Sequence, residues 1–366
     1  MKQSNGTKWS YQIKAAEQLA RHCENPKYIG AVLAGAVSCG KTNILIHTLN
    51  IICKRNKNAK ILFLAYSQTN LKDQTITAFA DKTSPVKPKF SFGTLKDLNV
   101  QVTVAIPQEF DHKSNQSYEY IVIDEAHQWF TSKSVLENII HRYKIKKLIL
   151  ATGTPSLFNS YNAGTDGRKF AISYIAGEEM LKLGIYCPLD LDLVKVIDYK
   201  DTQKILSLTW AKAKGNQDLL EKPVIVCQDI LQANEAKKFL CSEGYKPSLA
   251  TANADPGNLE INKFKYDETD SLVIINRGIL GLNIPNATLM VCLKNTSNIE
   301  LLLQIMARMF RCHSKGKKKT FWMPATTADW NKKIALLNRV MSLNKIETMK
   351  SFTGKSPKDP YQMSAV

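Results

Sequence analysis

The chain has 366 residues, which is long for one domain and comfortable for two, each able to bury a core without covalent staples. Fifty Lys and Arg against 32 Asp and Glu leave a formal charge of +18, a surplus that attracts polyanions such as nucleic acid or else marks a merely lysine-rich surface. The eight cysteines are scattered with no C-x-x-C pair, so zinc ribbons and disulfide frameworks are excluded as organising devices.

Short apolar runs alternate with amphipathic stretches, the pattern of parallel α/β layers. Ser10 can cap a first helix running through Glu24, with Ile13, Ala16, Ala20 and Cys23 on one face. Residues 28–36 read as a strand and 42–55 as the helix after it. Further strands fall at 61–66, 102–106, 120–124 and 147–151. Beyond Pro155, residues 156–169 are polar and glycine-bearing, and the stretch that follows reads as a short helix stopped near Gly184. A second α/β series has strands near 224–227, 272–276, 289–293 and 320–323, with Asp229 and Gly244 bracketing a helix between the first two. A last helix spans about residues 329–350. The expected organisation is a lobe at 1–175, a junction at 176–188, a second lobe at 189–350 and a disordered tail at 351–366.

Residues 35–42, GAVSCGKT, match G-x-x-x-x-G-K-[ST] at every fixed position, between an apolar strand and a helix. Gly35 and Gly40 allow the backbone to curl, so that the amides around Ser38 and Cys39 can point at phosphate oxygens, helped by the positive end of the following helix. Lys41 supplies a cation for the terminal phosphates and Thr42 a hydroxyl for magnesium. Cys39 inside the loop is either a thiol activated by the amides or a packed one, and packing is the simpler reading.

The run YEYIVIDEAHQW ends a buried strand on Asp124 and Glu125, at the edge of an open α/β sheet where ligands bind. Asp124 can hold magnesium through water and Glu125 can polarise an attacking water.

DEAH at 124–127 after GAVSCGKT resembles the DExH (DEAH-box) branch of the superfamily-two helicases, and the resemblance runs in order along nearly the whole chain. It implies two tandem RecA-like lobes, each a largely parallel sheet flanked by helices, using ATP and Mg2+. In that frame Tyr11-Gln12 looks like the element in which the glutamine, Gln12, reads the adenine, and His127 lies between the ATP site and the coupling motif. Residues 62–74 resemble a segment contacting the nucleic-acid backbone, with Ser67 and Gln68 nearest it, and 102–107 resemble the next such contact. LATGTP at 150–155 looks like the coupling motif, with Thr152 and Thr154 at its hydroxyl positions. RGILGLNIP at 277–285 is similar to the motif touching nucleotide and backbone, which places Arg277 and Gly278 on nucleic acid and Asn283 on nucleotide, where many relatives carry an acid. QIMARMFR at 304–311 matches Q-x-x-G-R-x-x-R with Ala307 in place of glycine, so Gln304 precedes two arginine fingers, Arg308 and Arg311. A guanidinium brought to the transferring phosphoryl group stabilises the charge that builds there. Trp9 stands where an arginine is often found, and either stacks on a base or packs on the helix.

The compact form most resembles DNA branch-migration and fork-remodelling helicases, including phage enzymes. The resemblance therefore implies an ATP-dependent helicase or translocase, with DNA taken before RNA and backbone contacts that ignore sequence. Two rivals stay open: an RNA helicase, and an ATPase motor or nucleotide-gated clamp dependent on a partner such as a nuclease. A monomer in a reducing cytoplasm, the host's if the protein is viral, fits the cysteine usage. The first residues lack the apolar stretch of a signal peptide, and no uncharged apolar run reaches membrane-spanning length, so no membrane partner is expected. The basic run 313–320 either grips phosphates or forms a solvated hairpin loop.

Overall fold

The computed structural model describes residues 10–65, 69–81, 86–97, 99–106, 109, 117–126, 141, 145–153, 169–251, 259–275, 284, 286–310 and 319–343. The chain divides into two compact units, Met1–Ala176 and Gly177–Val366.

In the first unit, helix α1 (Ser10–Glu24) buries Tyr11, Gln12, Ala15, Ala16, Leu19, Ala20 and Cys23 along one stripe. Ile13, expected on that face, is 49% exposed, because the stripe is set by Tyr11 and Gln12 turning inward. Strand β1 (Tyr28–Gly35) is buried at every residue after Tyr28, as a central parallel strand must be. It leads through the glycine-bearing loop into α2 (Lys41–Arg55). Then come β2 (Ile61–Leu64), α3 (Thr69–Ala80), β3 (Phe92–Gly93), β4 (Val102–Ala105), β5 (Tyr120–Ile123), β6 (Lys147–Thr152) and β7 (Lys169–Ile175). The seven strands form one sheet in the order β3-β4-β2-β5-β6-β1-β7, and every neighbouring pair is parallel. All C-terminal ends therefore share one edge, and the end of β6 lies between those of β1 and β5. Strands β3 and β7 and helix α3 are elements the apolar pattern did not announce. From Ala171 to Ile175, β7 alternates buried and exposed residues, as an edge strand does, and its polar surroundings mask it.

The second unit opens with the short helix α4 (Gly177–Lys182), followed by Gly184 at φ 62°. Strand β8 (Leu189–Lys195) and helix α5 (Thr202–Ala213) follow, the latter capped by Asp201, which accepts from Lys204 N. Next are β9 (Pro223–Val226) and α6 (Ile230–Ser242). Asp229 caps α6 by accepting from Gln232 N at 2.9 Å, and Gly244 beyond it has φ 87°. The series ends with β10 (Pro247–Ala250), α7 (Leu259–Lys265), β11 (Ser271–Ile274), β12 (Leu289–Cys292), α8 (Ile299–Phe310), β13 (Lys319–Ala325) and α9 (Trp330–Leu343). These strands form a second all-parallel sheet in the order β10-β11-β9-β12-β13-β8. One of its cores gathers Trp210, Phe239, Leu240, Ile225, Val273, Val291 and Trp322, with the Trp210 and Phe239 rings edge to face at 5.1 Å. Two parallel-sheet lobes flanked by helices are the RecA-like arrangement expected from the motifs. The expected extension of the last helix to residue 350 and the tail 351–366 lie outside the described residues.

Candidate functional site

The phosphate loop leaves β1 with Ala36 N donating to Ile175 O at 2.9 Å, and a turn closes when Cys39 N donates to Ala36 O at 3.1 Å. The backbone curl falls at Ser38 (φ 63°) and Gly40 (φ 81°), not at Gly35. Gly35 is required for space instead: a Cβ there would lie 2.7 Å from Cys39 Sγ. Ile44 N donates to Gly40 O, so α2 starts directly on the loop and points its N-terminus at it. Lys41 and Thr42 are half-buried on the first turn. Cys39 is fully buried, and burial pushes its thiol up to about 11, against the pull of Lys41, so the packed reading holds and the thiol is inert at neutral pH.

The acid pair arrives from β5. Asp124 N donates to Leu64 O, and Glu125 takes φ 49°, with its N–H turned back onto Asp124 Oδ1 at 2.9 Å. A non-glycine residue in the left-handed region is uncommon and stores strain at a place where geometry matters. The result brings Glu125 Oε1 to 3.7 Å from Lys41 Nζ, so loop and acid pair, 84 positions apart in sequence, form one site. Burial first, and Glu125 second, push the Asp124 carboxyl up to about 6, only partly offset by Lys41. Two adjacent carboxylates, one of them deeply buried and raised, fit a magnesium ion held by few protein ligands plus phosphate and water. Among the described residues no three His, Cys, Asp or Glu form an all-protein metal cage, which that mode of binding does not need.

The end of β6 closes the site between loop and acids. Thr152 is fully buried, and at Gly153 a Cβ would lie 2.9 Å from Val37 Cγ1 and 3.4 Å from Lys41 Nζ. Gln12 is 1% exposed, with its amide against the Tyr11 hydroxyl and the loop. In the second unit, Gln304 and Arg308 sit half-buried on α8, whose apolar side buries Leu302, Leu303, Ile305, Met306, Met309 and Phe310. Ala307, where glycine was expected, is itself buried. His127, Arg311, Asn283, Ser67, Gln68, Thr154, Arg277 and Gly278 lie outside the described residues. Two contributors escaped the reading of the sequence. Tyr11 was noted only as the neighbour of Gln12, and Gly153 only as a spacer between two threonines. For both, the adjoining motif residue was the signal.

Residues 7–157 match the family described as type III restriction enzyme, res subunit, and residues 203–313 match the helicase conserved C-terminal domain. These two domain matches together indicate an enzyme of the ATP-hydrolysing helicase or translocase type. No curated protein matches this helicase-type chain in sequence. Among solved structures, it is similar to an ATP-dependent type ISP restriction-modification enzyme, LlaBIII, bound to DNA (14% identity, TM-score 0.68, 91% of this chain and 29% of that one). It is also similar to a fragment of a putative HsdR subunit of a type I restriction enzyme from Vibrio vulnificus YJ016 (15%, 0.63, 88% and 64%). A third is Dbp5 of S. cerevisiae bound to RNA and ADP BeF3 (13%, 0.59, 92% and 91%). The chain thus spans 29% of LlaBIII and 64% of the HsdR fragment, and at these identities the likeness is one of fold.

Proposed function

We propose that the enzyme is a magnesium-dependent DNA translocase or helicase of the DEAH branch, related in form to the compact phage-type enzymes that migrate branches and remodel forks. The observation that carries the ATPase part is the approach of Lys41 Nζ to Glu125 Oε1 at 3.7 Å, beside a loop that opens directly into a helix. In this reading Lys41 and the loop amides hold the triphosphate, Thr42 and Asp124 hold magnesium, and Glu125 polarises the attacking water. Magnesium would supply charge neutralisation at the β- and γ-phosphates. Gln12 and Asn283 serve the nucleotide, and His127, Gln304, Arg308 and Arg311 link hydrolysis to closing of the two units. Arg308 and Arg311 bring guanidinium charge to the transferring phosphoryl group. Ser67, Gln68, Thr154, Arg277 and Gly278 serve the nucleic-acid track, whereas Thr152, expected there too, is fully buried at the end of β6 and out of its reach.

Two things support DNA over RNA: the match to a restriction-enzyme subunit and the two restriction enzymes among the similar folds. A net charge of +18 supports a polyanionic track, gripped by its backbone without regard to sequence. The same restriction enzymes favour a second reading, because they are longer than this chain: a motor whose productive work depends on a partner such as a nuclease. The described cysteines are free thiols, in keeping with a reducing cytoplasm.

The deciding experiment compares ATP turnover with single-stranded, duplex and branched DNA and with RNA. Stimulation by DNA, falling steeply with salt, is the expected result. Stimulation by RNA alone would overturn the DNA reading, and stimulation by none of them would favour the partner-dependent motor.

A further inference from the structure

The phosphate loop is held from behind by α1 as well as by its own turn. Tyr11 Oη donates to Cys39 O at 2.6 Å, between residues 28 positions apart. Gln12 Nε2 donates to Tyr11 Oη at 3.2 Å and reaches Cys39 O at 3.5 Å. Both side chains are buried, Tyr11 at 7% and Gln12 at 1% exposure, so these bonds are made out of water's reach. Gly40 sits directly under them: a Cβ there would lie 2.4 Å from Gln12 Nε2 and 3.9 Å from Tyr11 Oη.

Cys39 O and the Gly40 N–H belong to the same peptide. In a trans peptide the two point in opposite directions, so a carbonyl fixed toward α1 turns the Gly40 amide away from α1. Gly40 then takes its left-handed conformation and α2 begins at Lys41. An amide aimed in advance costs no reorganisation when an anion arrives. We infer that Tyr11 is a positioning residue of the phosphate loop: its hydroxyl holds the Cys39–Gly40 peptide with its amide turned to the phosphates, and Gln12 steadies that hydroxyl. This rests on the reading of the loop as a triphosphate site. The contribution is made to phosphate, so it is the same whatever base the nucleotide carries.

The test uses the full chain and its Tyr11→Phe variant, which keeps the ring's packing and loses the bond. Binding of ATP, GTP and inorganic tripolyphosphate, each with magnesium, is measured by titration calorimetry, alongside steady-state ATP turnover and thermal melting. Tyr11→Phe is expected to weaken all three ligands by a common factor of about five to ten, raising KM for ATP, with little change in melting temperature. Gln12→Ala, which leaves the Tyr11–Cys39 bond in place, is expected to weaken GTP and tripolyphosphate by about two- to threefold, with the further loss for ATP measuring what Gln12 gives to the base. Unchanged affinities in Tyr11→Phe would overturn the inference while leaving the triphosphate site standing. So would a loss confined to ATP, which would point to base recognition. A wild-type protein that binds none of the three ligands would overturn the triphosphate site and this inference together.

Discussion

Alanine at position 153 would place a methyl carbon 2.9 Å from Val37 Cγ1, 3.4 Å from Lys41 Nζ and 4.0 Å from Gly35 O. Carbon atoms in contact rest at about 3.5–4.0 Å, so the end of β6 and the loop must part by roughly 0.6 Å or more. Forcing a methyl into so close a contact costs about 1–3 kcal/mol. Because Val37, which must yield, belongs to the same loop as Lys41, the cost falls on the reacting geometry as well as on stability. A shift of about 1 Å there is enough to lower turnover about a hundredfold, so Gly153→Ala is expected to lose about 10- to 100-fold in kcat/KM for ATP. Val37→Ala removes the atom met first, and the double variant should recover most of the loss, with a coupling energy of about 1 kcal/mol or more. Steady-state ATP turnover of the wild type, both single variants and the double variant decides it. Wild-type kinetics in Gly153→Ala, or a double variant no better than the single, would refute the steric argument.

Glu125→Gln should cut turnover by about 10²- to 10⁴-fold while ATP still binds, since the lost group acts on water and not on the nucleotide; single-turnover hydrolysis beside a binding titration separates the two. Asp124 has a native pKa of about 6, raised from 3.8, so the native state holds more protons than the unfolded one between those values. Stability without metal therefore falls as pH rises through that window, and Asp124→Asn should melt higher than wild type at about pH 7.5 in chelator, with a gap that closes toward pH 4 and narrows when magnesium is added. A gap independent of pH would contradict the assignment. Asp229→Ala removes the cap bond to Gln232 N and should cost about 1 kcal/mol, read as a lower denaturant midpoint with turnover kinetics otherwise intact.

Much of the fold was legible because central parallel strands are continuous apolar runs. YIGAVLAG and PVIV carry little else, and burial on both faces demands it. The elements that escaped sit at the margins. Strand β7 puts Ile172 and Tyr174 at 42% and 37% exposure between buried neighbours, and β8 mixes Leu with Asp, since an edge strand satisfies solvent on one side. Helix α1 was found with the right ends and with Ala16, Ala20 and Cys23 on the buried face, but Ile13 is exposed where Gln12 turns inward. A rule counting apolar residues cannot foresee that Gln12, a polar side chain, is buried to bond with a loop 27 positions on. Caps were more readable: Asp229 and Gly244 act locally, through their own side chain and their own φ, and their identities announce them.

The site divides along the same line. The loop lysine and the acid pair were legible as one cluster because their motifs set particular groups at fixed spacing from a strand end, and Lys41 Nζ lies 3.7 Å from Glu125 Oε1. The contacts that aim those groups are made across the chain by residues with no chemical signature of their own. Gly153 matters because β6 lies between β1 and β5, so whatever follows Thr152 meets the loop, first at Val37 and then at Lys41. Gly40 matters twice, for its left-handed backbone at φ 81° and for the room it leaves under Gln12 and Tyr11. Part of the curl moved from Gly35 to Ser38, one of the two residues inside the turn that Cys39 N closes on Ala36 O, while Gly40 kept its share. Spacing along the chain thus announces the groups that meet the ligand, whereas the groups that hold them in place become visible only when the sheet order is known. That is why Tyr11→Phe and Gly153→Ala, two changes that leave Lys41, Thr42, Asp124 and Glu125 intact, are the sharper tests of how this site is built.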